Sequence, residues 1–285
     1  MADERMNRSS IVVTLIGRTA SLFLFALVLA AAHAEQIALV SGKESCLVDT
    51  LGGRVVSYRV DGEEMLWQGG SMVRGNEPWV HGGIPVAWPW FGRIGAGDAD
   101  IHGYAWKSEF RVLERTAGGV LLCLETESAL LKCRIEISGG LSLCAETTSR
   151  SEFPFPMSVA FHPYFRVGER DCVSVEGIGD IPVPVTNAVD RGASFDAVVP
   201  KKTYRIRDSA LDRTICIEAE NSTGVNLWNP GEEKKCPGVI PGDEWRRFVA
   251  VEPYARGVNR FLVLKPHGRH ALRMKVMRAG SGDRP

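Results

Sequence analysis

From about Glu35 onward, apolar and polar positions alternate with a period of two rather than 3.6. In Leu131-Lys132-Cys133-Arg134-Ile135-Glu136-Ile137 each apolar side chain is followed by a charged one, which lays one face of a strand on a core and the other in water. Leu141-Ser142-Leu143-Cys144-Ala145-Glu146 continues the pattern, and Gly139-Gly140 between the two runs predicts a hairpin. Val120 to Thr126 predicts a third strand of the same meander. Leu272, Met274 and Val276, alternating with Arg273 and Lys275, predict a closing strand. Many short strands with turn signals between them predict an all-β fold, a sandwich of antiparallel sheets. The stretch from Trp67 to Gly103 breaks the rhythm with Gly69, Gly70, Gly82, Gly83, Pro85, Pro89, Gly92, Gly95 and Gly97, yet holds tryptophans at 67, 79, 88 and 90. Loops of that kind on a sheet scaffold are where binding sites concentrate.

Composition narrows the function classes. The 285 residues suit one large β domain, and 45% hydrophobic against 24% charged residues describes an ordinary globule. Lysine plus arginine number 34 and aspartate plus glutamate number 34, so no net field gathers phosphate backbones, and nucleic acid is excluded as an expected partner. Seven cysteines, none in a CxxC pair, give neither a disulfide framework nor a zinc site. No Walker loop, HExxH or Gly-x-Ser-x-Gly elbow is present, and Gly95-Ala96-Gly97-Asp98-Ala99-Asp100 lacks the third glycine of a dinucleotide fingerprint.

The first residues have a different character. Arg5, Arg8 and Arg18 precede the apolar run Ala20 to Ala32, and Ala32-His33-Ala34 has the small-x-small pattern of a signal-peptidase site. Residues 1–34 therefore read as a signal peptide or N-terminal anchor ahead of a domain at 35–285. An exported enzyme, periplasmic or secreted, is the expectation. A membrane is involved only if the segment stays uncleaved, and a misplaced start codon would make the protein cytoplasmic.

The candidate chemistry is carried by five segments. His162 stands in Ser158-Val159-Ala160-Phe161-His162-Pro163-Tyr164-Phe165-Arg166-Val167, and Glu252 in Phe248-Val249-Ala250-Val251-Glu252-Pro253. The others are His81-Gly82-Gly83-Ile84-Pro85 running into Trp88-Pro89-Trp90-Phe91-Gly92, then Asp100-Ile101-His102-Gly103-Tyr104-Ala105, and Leu227-Trp228-Asn229-Pro230. A histidine and a carboxylate tuned by burial suit general acid-base catalysis near neutral pH. In this order the segments resemble the hexose-6-phosphate 1-epimerase branch of the aldose 1-epimerase family. The resemblance implies a galactose-mutarotase-like β-supersandwich and interconversion of the α and β anomers of a hexose, or hexose 6-phosphate, by ring opening. It implies His162 as acid and Glu252 as base, with Asp212 and the His102 loop binding the sugar. Such a reaction requires no metal or redox cofactor, and a small-molecule sugar is the implied partner.

Two departures bear on the substrate. The resemblance implies arginine where this chain has His81, and glutamine and a second arginine where it has Ile101 and Trp106. Loss of two planar guanidinium forks weakens the grip on a phosphate unless Arg74, Arg93 or Lys107 replaces them. A neutral sugar, or an altered specificity in which His81 and Trp106 face the substrate, is the expectation. Trp88, Trp90 or Trp106 would offer the sugar ring a flat apolar face. The rival readings are a non-catalytic carbohydrate-binding β-sandwich, which needs the aromatic platform but not the acid-base pair, and a glycosidase, which needs two facing carboxyl groups such as Asp212 and Glu252.

Overall fold

The computed structural model describes residues 34–69, 81–94, 101–178, 183–184, 189–232 and 240–279. The expected leader up to residue 33, Arg74, residues 95–100 and Cys236 lie outside the described residues.

The chain opens on the antiparallel strands β1 (Gln36–Ser41), β2 (Glu44–Asp49), β3 (Arg54–Val60) and β4 (Glu63–Glu64), and the glycine-rich stretch supplies a two-residue β5 (Val86–Ala87). The meander expected from the alternating pattern follows as β6 (Arg111–Arg115), β7 (Gly119–Glu125), β8 (Ala129–Ile137) and β9 (Leu141–Ser149). Gly139-Gly140 turns β8 into β9, with Ile137 opposite Leu141. Short strands come next: β10 (Phe155–Met157), β11 (Val159–Phe161), β12 (Tyr164–Arg166), β13 (Val173–Glu176) and β14 (Val183–Pro184). Longer ones complete the domain: β15 (Val189–Val199), β16 (Lys202–Asp208), β17 (Arg213–Glu220), β18 (Ser222–Asn229), β19 (Phe248–Ala255), β20 (Leu262–Leu264) and β21 (Arg269–Arg278).

Two large antiparallel sheets dominate. One has nine strands in the order β14-β13-β16-β17-β21-β9-β8-β7-β6, so the expected closing strand β21 lies in the middle of the sheet. The other has six, in the order β15-β18-β19-β11-β5 with β12 also paired to β19. The main core includes Leu122, Ile135, Leu143, Ile217 and Met274 from the first sheet and Val86, Val159, Phe161, Val225, Val249 and Val251 from the second. On the nine-stranded sheet the polar partners of the alternation stay at the surface, and β8, β9 and β17 all show the period-two burial read from the sequence.

The six-stranded sheet behaves differently, and that difference positions the site. β19 is buried along its whole length. Its valines at 249 and 251 face the core, so the alternate residues Phe248, Ala250, Glu252 and Tyr254 occupy the other face. Burial on that face comes from the loops and aromatic side chains laid over it, in two small clusters. One holds Ala87, Phe91, Trp106, Ala160 and Tyr254, and the other holds Trp67, Tyr164, Ile240, Trp245 and Phe248.

Candidate active site

Cross-strand neighbours on this outer face form rows. Ala87, Ala160, Tyr254 and Gly224 are consecutive partners across β5, β11, β19 and β18. Tyr164, Ala250, Trp228 and Asp190 are consecutive partners across β12, β19, β18 and β15. Between these two rows Glu252 is paired with Asn226. The pairs Ala160 with Tyr254 and Tyr164 with Ala250 share one register, which sets His162 opposite Glu252.

His162 falls in the two-residue gap between β11 and β12, beside Pro163. The His162 N–H donates to Pro85 O at 3.0 Å and the Tyr164 N–H to Gly83 O at 2.9 Å, so the gap is braced from the glycine-rich loop instead of from β19. Gly83 has φ 66° and packs so closely that a Cβ there would lie 2.2 Å from Val55 O, which only glycine accommodates. Pro253 stands on the β19 side of the same gap. A proline removes a ladder donor, and a strand interrupted at that point demands none.

The outcome is a close pair. His162 Nε2 is 3.3 Å from Glu252 Oε1, and the residues are 5% and 1% exposed. Asn226 Nδ2 donates to Glu252 Oε2 at 3.3 Å, fixing the carboxylate from the side away from the imidazole. Glu252 is therefore an interior residue of a strand, not a solvated strand end.

Rings enclose the pair. The imidazole of His162 stacks on Tyr164 at 4.8 Å between centroids and meets His102 and Trp228 edge to face at 5.3 and 5.8 Å. His81 lies parallel to Trp228 at 6.0 Å, and its Nδ1 is 3.0 Å from Tyr164 Oη. His102, at φ 61°, accepts the Gly92 N–H on Nδ1 at 3.2 Å, which leaves the proton of the neutral ring on Nε2. Burial lowers all three imidazoles: His81 to about 4, His102 to about 3 with help from His81 and Arg93, and His162 well below its ordinary value with help from His102 and His81. At neutral pH His81 and His102 are therefore uncharged.

His81, His102, His162 and Glu252 thus come together as a group. Trp106 lies at the edge of it, its Nε1 donating to Gly103 O at 2.9 Å and its ring packed with Phe91, Ala160 and Tyr254. Asp212 is elsewhere: it occupies the turn between β16 and β17 of the nine-stranded sheet at φ 45°, lining a surface groove with Asp61, Asp208 and Arg213. Trp88 is a core residue, fully buried with its Nε1 on Thr147 Oγ1 of β9 at 3.0 Å, and Trp90 packs edge-on against Tyr104. The tryptophan that borders the pair is the half-buried Trp228. Tyr164 and Trp228 stand in the segments singled out from the sequence, whereas Asn226 acquires its place only through its pairing with Glu252.

The two large antiparallel sheets make an all-β supersandwich of the galactose-mutarotase-like class. The chain matches the Aldose 1-epimerase family model over residues 35–276 and belongs to that family. It is accordingly an isomerase of the sugar 1-epimerase type. A curated relative from Escherichia coli K12, named "Putative glucose-6-phosphate 1-epimerase", is 29% identical over 75% of this chain and 81% of its own length. A protein of the same name from Cenchrus ciliaris is 26% identical over 81% of each chain. Among solved structures, a galactose mutarotase-like protein from Clostridium acetobutylicum superposes with a TM-score of 0.68 at 16% identity, covering 87% of this chain and 96% of its own. The Slr1438 protein from Synechocystis sp. PCC 6803 gives 0.71 at 15% identity, with 87% and 96% covered. These two likenesses establish the fold.

Proposed function

We propose that the protein interconverts the α and β anomers of an aldohexose, with Glu252 as the base that takes the proton from the C1 hydroxyl and His162 as the acid that protonates the ring oxygen. The ring opens, the C1–C2 bond rotates, and closure on the other face returns both protons. The observation that carries the reading is the 3.3 Å approach of His162 Nε2 to Glu252 Oε1 between two side chains almost wholly withdrawn from water. Both oxygens of the reaction are bonded to C1, so an acid and a base in mutual contact suit them.

Burial makes the acid effective. It disfavours the charged imidazole, so an imidazolium formed beside Glu252 gives up its proton more readily than one in water. The pair works by sharing one proton, which moves between Nε2, the substrate oxygens and Oε1. Acid-base assistance of this kind is worth about 100- to 10,000-fold in rate. Neither a metal nor a redox group enters the proton balance.

His102 Nε2–H and His81 serve as neutral hydrogen-bonding groups for sugar hydroxyls, Trp228 serves as the apolar platform, and Trp106 walls the far end. Asp212, in the turn between β16 and β17, has no part in this reading. A glycosidase is disfavoured because the partner of Glu252 is an imidazole, and family membership disfavours a binding module without activity. The arginines before the Ala20–Ala32 run support export, which N-terminal sequencing of the mature protein tests. Polarimetry of freshly dissolved α-hexoses tests the activity. Equilibration faster than buffer is expected, and none on a panel of neutral and anionic hexoses would refute it.

A further inference from the structure

Two of the positions expected to carry cations hold neutral side chains, but a different arginine stands on the same ground. Arg256 follows β19 directly, and Glu252, Tyr254 and Arg256 alternate onto one face. Its N–H donates to Thr223 Oγ1 at 2.8 Å, and Thr223 Oγ1 donates to its carbonyl at 2.8 Å, which pins the backbone to β18. The side chain lies over the site instead of extending into solvent: Cζ is 4.4 Å from the centre of the Tyr254 ring and 6.0 Å from that of Phe91. Those rings belong to the cluster that contains Trp106, and Phe91 in turn faces His102 at 5.2 Å.

Arg256 is half-buried, and among the described residues it forms no ion pair with a carboxylate; its one guanidinium hydrogen bond is a long one to Tyr254 Oη, 3.4 Å. A planar fork held flat on two rings keeps its donor edge free for a two-oxygen anion. Arg93 reinforces the charge on this side, near enough to bear on His102, and its carbonyl is held by Arg260 at 2.6 Å. His81 and His102 beside the acid-base pair are neutral, whereas Arg256 and Arg93 bring positive charge to the Phe91 and Tyr254 side.

We infer that Arg256, backed by Arg93, is the specificity-determining residue that receives an anionic group on the sugar, at the end away from C1. The shared chemistry is a planar or tetrahedral oxyanion, either the phosphate of a hexose 6-phosphate or the carboxylate of a hexuronic acid. This deepens the epimerase reading and rests on it.

The test is anomer exchange of glucose, glucose 6-phosphate and glucuronate, followed by NMR for the wild type, Arg256→Gln and Arg256→Lys. The wild type is expected to show a kcat/KM for one of the two anionic sugars at least about tenfold above glucose, the scale of a charge-assisted pair. Which anion wins identifies the substituent. Arg256→Gln should cut the ratio of anionic to neutral kcat/KM by about tenfold through KM, and Arg256→Lys should restore part of it. A wild type that prefers glucose, or a ratio unchanged in Arg256→Gln, overturns the inference while leaving the epimerase reading in place. A wild type inert on all three sugars overturns both.

Discussion

The ring of Tyr254 lies directly on Gly224: a Cβ added at 224 would sit 2.3 Å from both Cζ and Oη of the tyrosine. The two residues are cross-strand partners in β18 and β19. The missing side chain is what lets the tyrosine lie across the sheet, with Phe91 stacked on it at 5.4 Å and Arg256 beside it. Gly224→Ala is expected to push the ring toward the cleft, costing about 1–3 kcal/mol of stability by overpacking. It should also raise KM more than it lowers kcat. Thermal unfolding and steady-state polarimetry would check this, and a variant with wild-type KM would show that the ring can move without disturbing the sugar.

His162→Ala and Glu252→Gln should each lower kcat by about 100- to 10,000-fold. Because the two groups pass one proton between them, the double variant should be scarcely slower than the worse single one. Circular dichroism should report a folded β protein in every case. Two losses that simply multiplied would mean that the residues act independently.

Stability should depend on acid in a particular window. The histidines at 81 and 102 are neutral in the folded protein, their pKa values pushed below 6.5 by burial. As pH falls below about 6.5 the unfolded chain takes up protons that the folded chain refuses, so stability present above that pH is progressively lost. For His81 the loss runs down to about 4 and for His102 to about 3. Each contributes a slope of up to about 1.4 kcal/mol per pH unit inside its window. Denaturant titrations from pH 7 to 4.5 would measure it, and His81→Gln should flatten the curve. A flat profile in the wild type would contradict the neutral, buried state of these rings.

Tyr164→Phe keeps the ring under His162 and removes the hydroxyl that meets His81 Nδ1 at 3.0 Å. The expected cost is about 1 kcal/mol of stability. Turnover should fall less than in His162→Ala, because the stacking is preserved. A collapse of kcat to the His162→Ala level would instead give the hydroxyl a direct part in proton transfer.

Arg213 joins distant parts of the domain. Its side chain is 1% exposed, pairs with Glu63 Oε1 at 2.7 Å, and donates to Glu64 O at 3.3 Å and to Arg166 O at the end of β12. Arg213→Met would leave the half-buried Glu63 carboxylate and two backbone carbonyls without their donor, a loss of about 1–3 kcal/mol. Differential scanning calorimetry should show a Tm about 2–12 °C lower, taking about 2–4 °C per kcal/mol for a domain of this size. A shift under 2 °C would mean that water replaces the guanidinium.

Local pattern made the nine-stranded sheet legible. Leu131 to Ile137 and Leu141 to Glu146 read as half-buried strands because one face of each meets water, and the turn between them is marked by glycine. The six-stranded sheet was harder to read. With Val249 and Val251 on the core and Ala250, Glu252 and Tyr254 beneath loops and rings, β19 has no wet face to give it a rhythm. His162 and Glu252 were found through the motifs around them, whereas their mutual approach depends on a pairing between residues ninety positions apart. Trp88 was drawn to the site by its neighbours in sequence but is claimed by Thr147 in the other sheet. Asp212 illustrates the reverse problem: Leu211-Asp212-Arg213 has the composition of a binding motif and the left-handed backbone of a hairpin turn.

The gap between β11 and β12 has a wider implication. His162 in that gap and Glu252 in β19 share the register of paired strands, so the separation of the proposed acid and base is governed by inter-strand spacing. The segments that border the cleft can then lengthen, shorten or exchange side chains without retuning the chemistry. Discrimination among sugars is then left to the periphery, where a side chain can be exchanged without altering the spacing of the central pair.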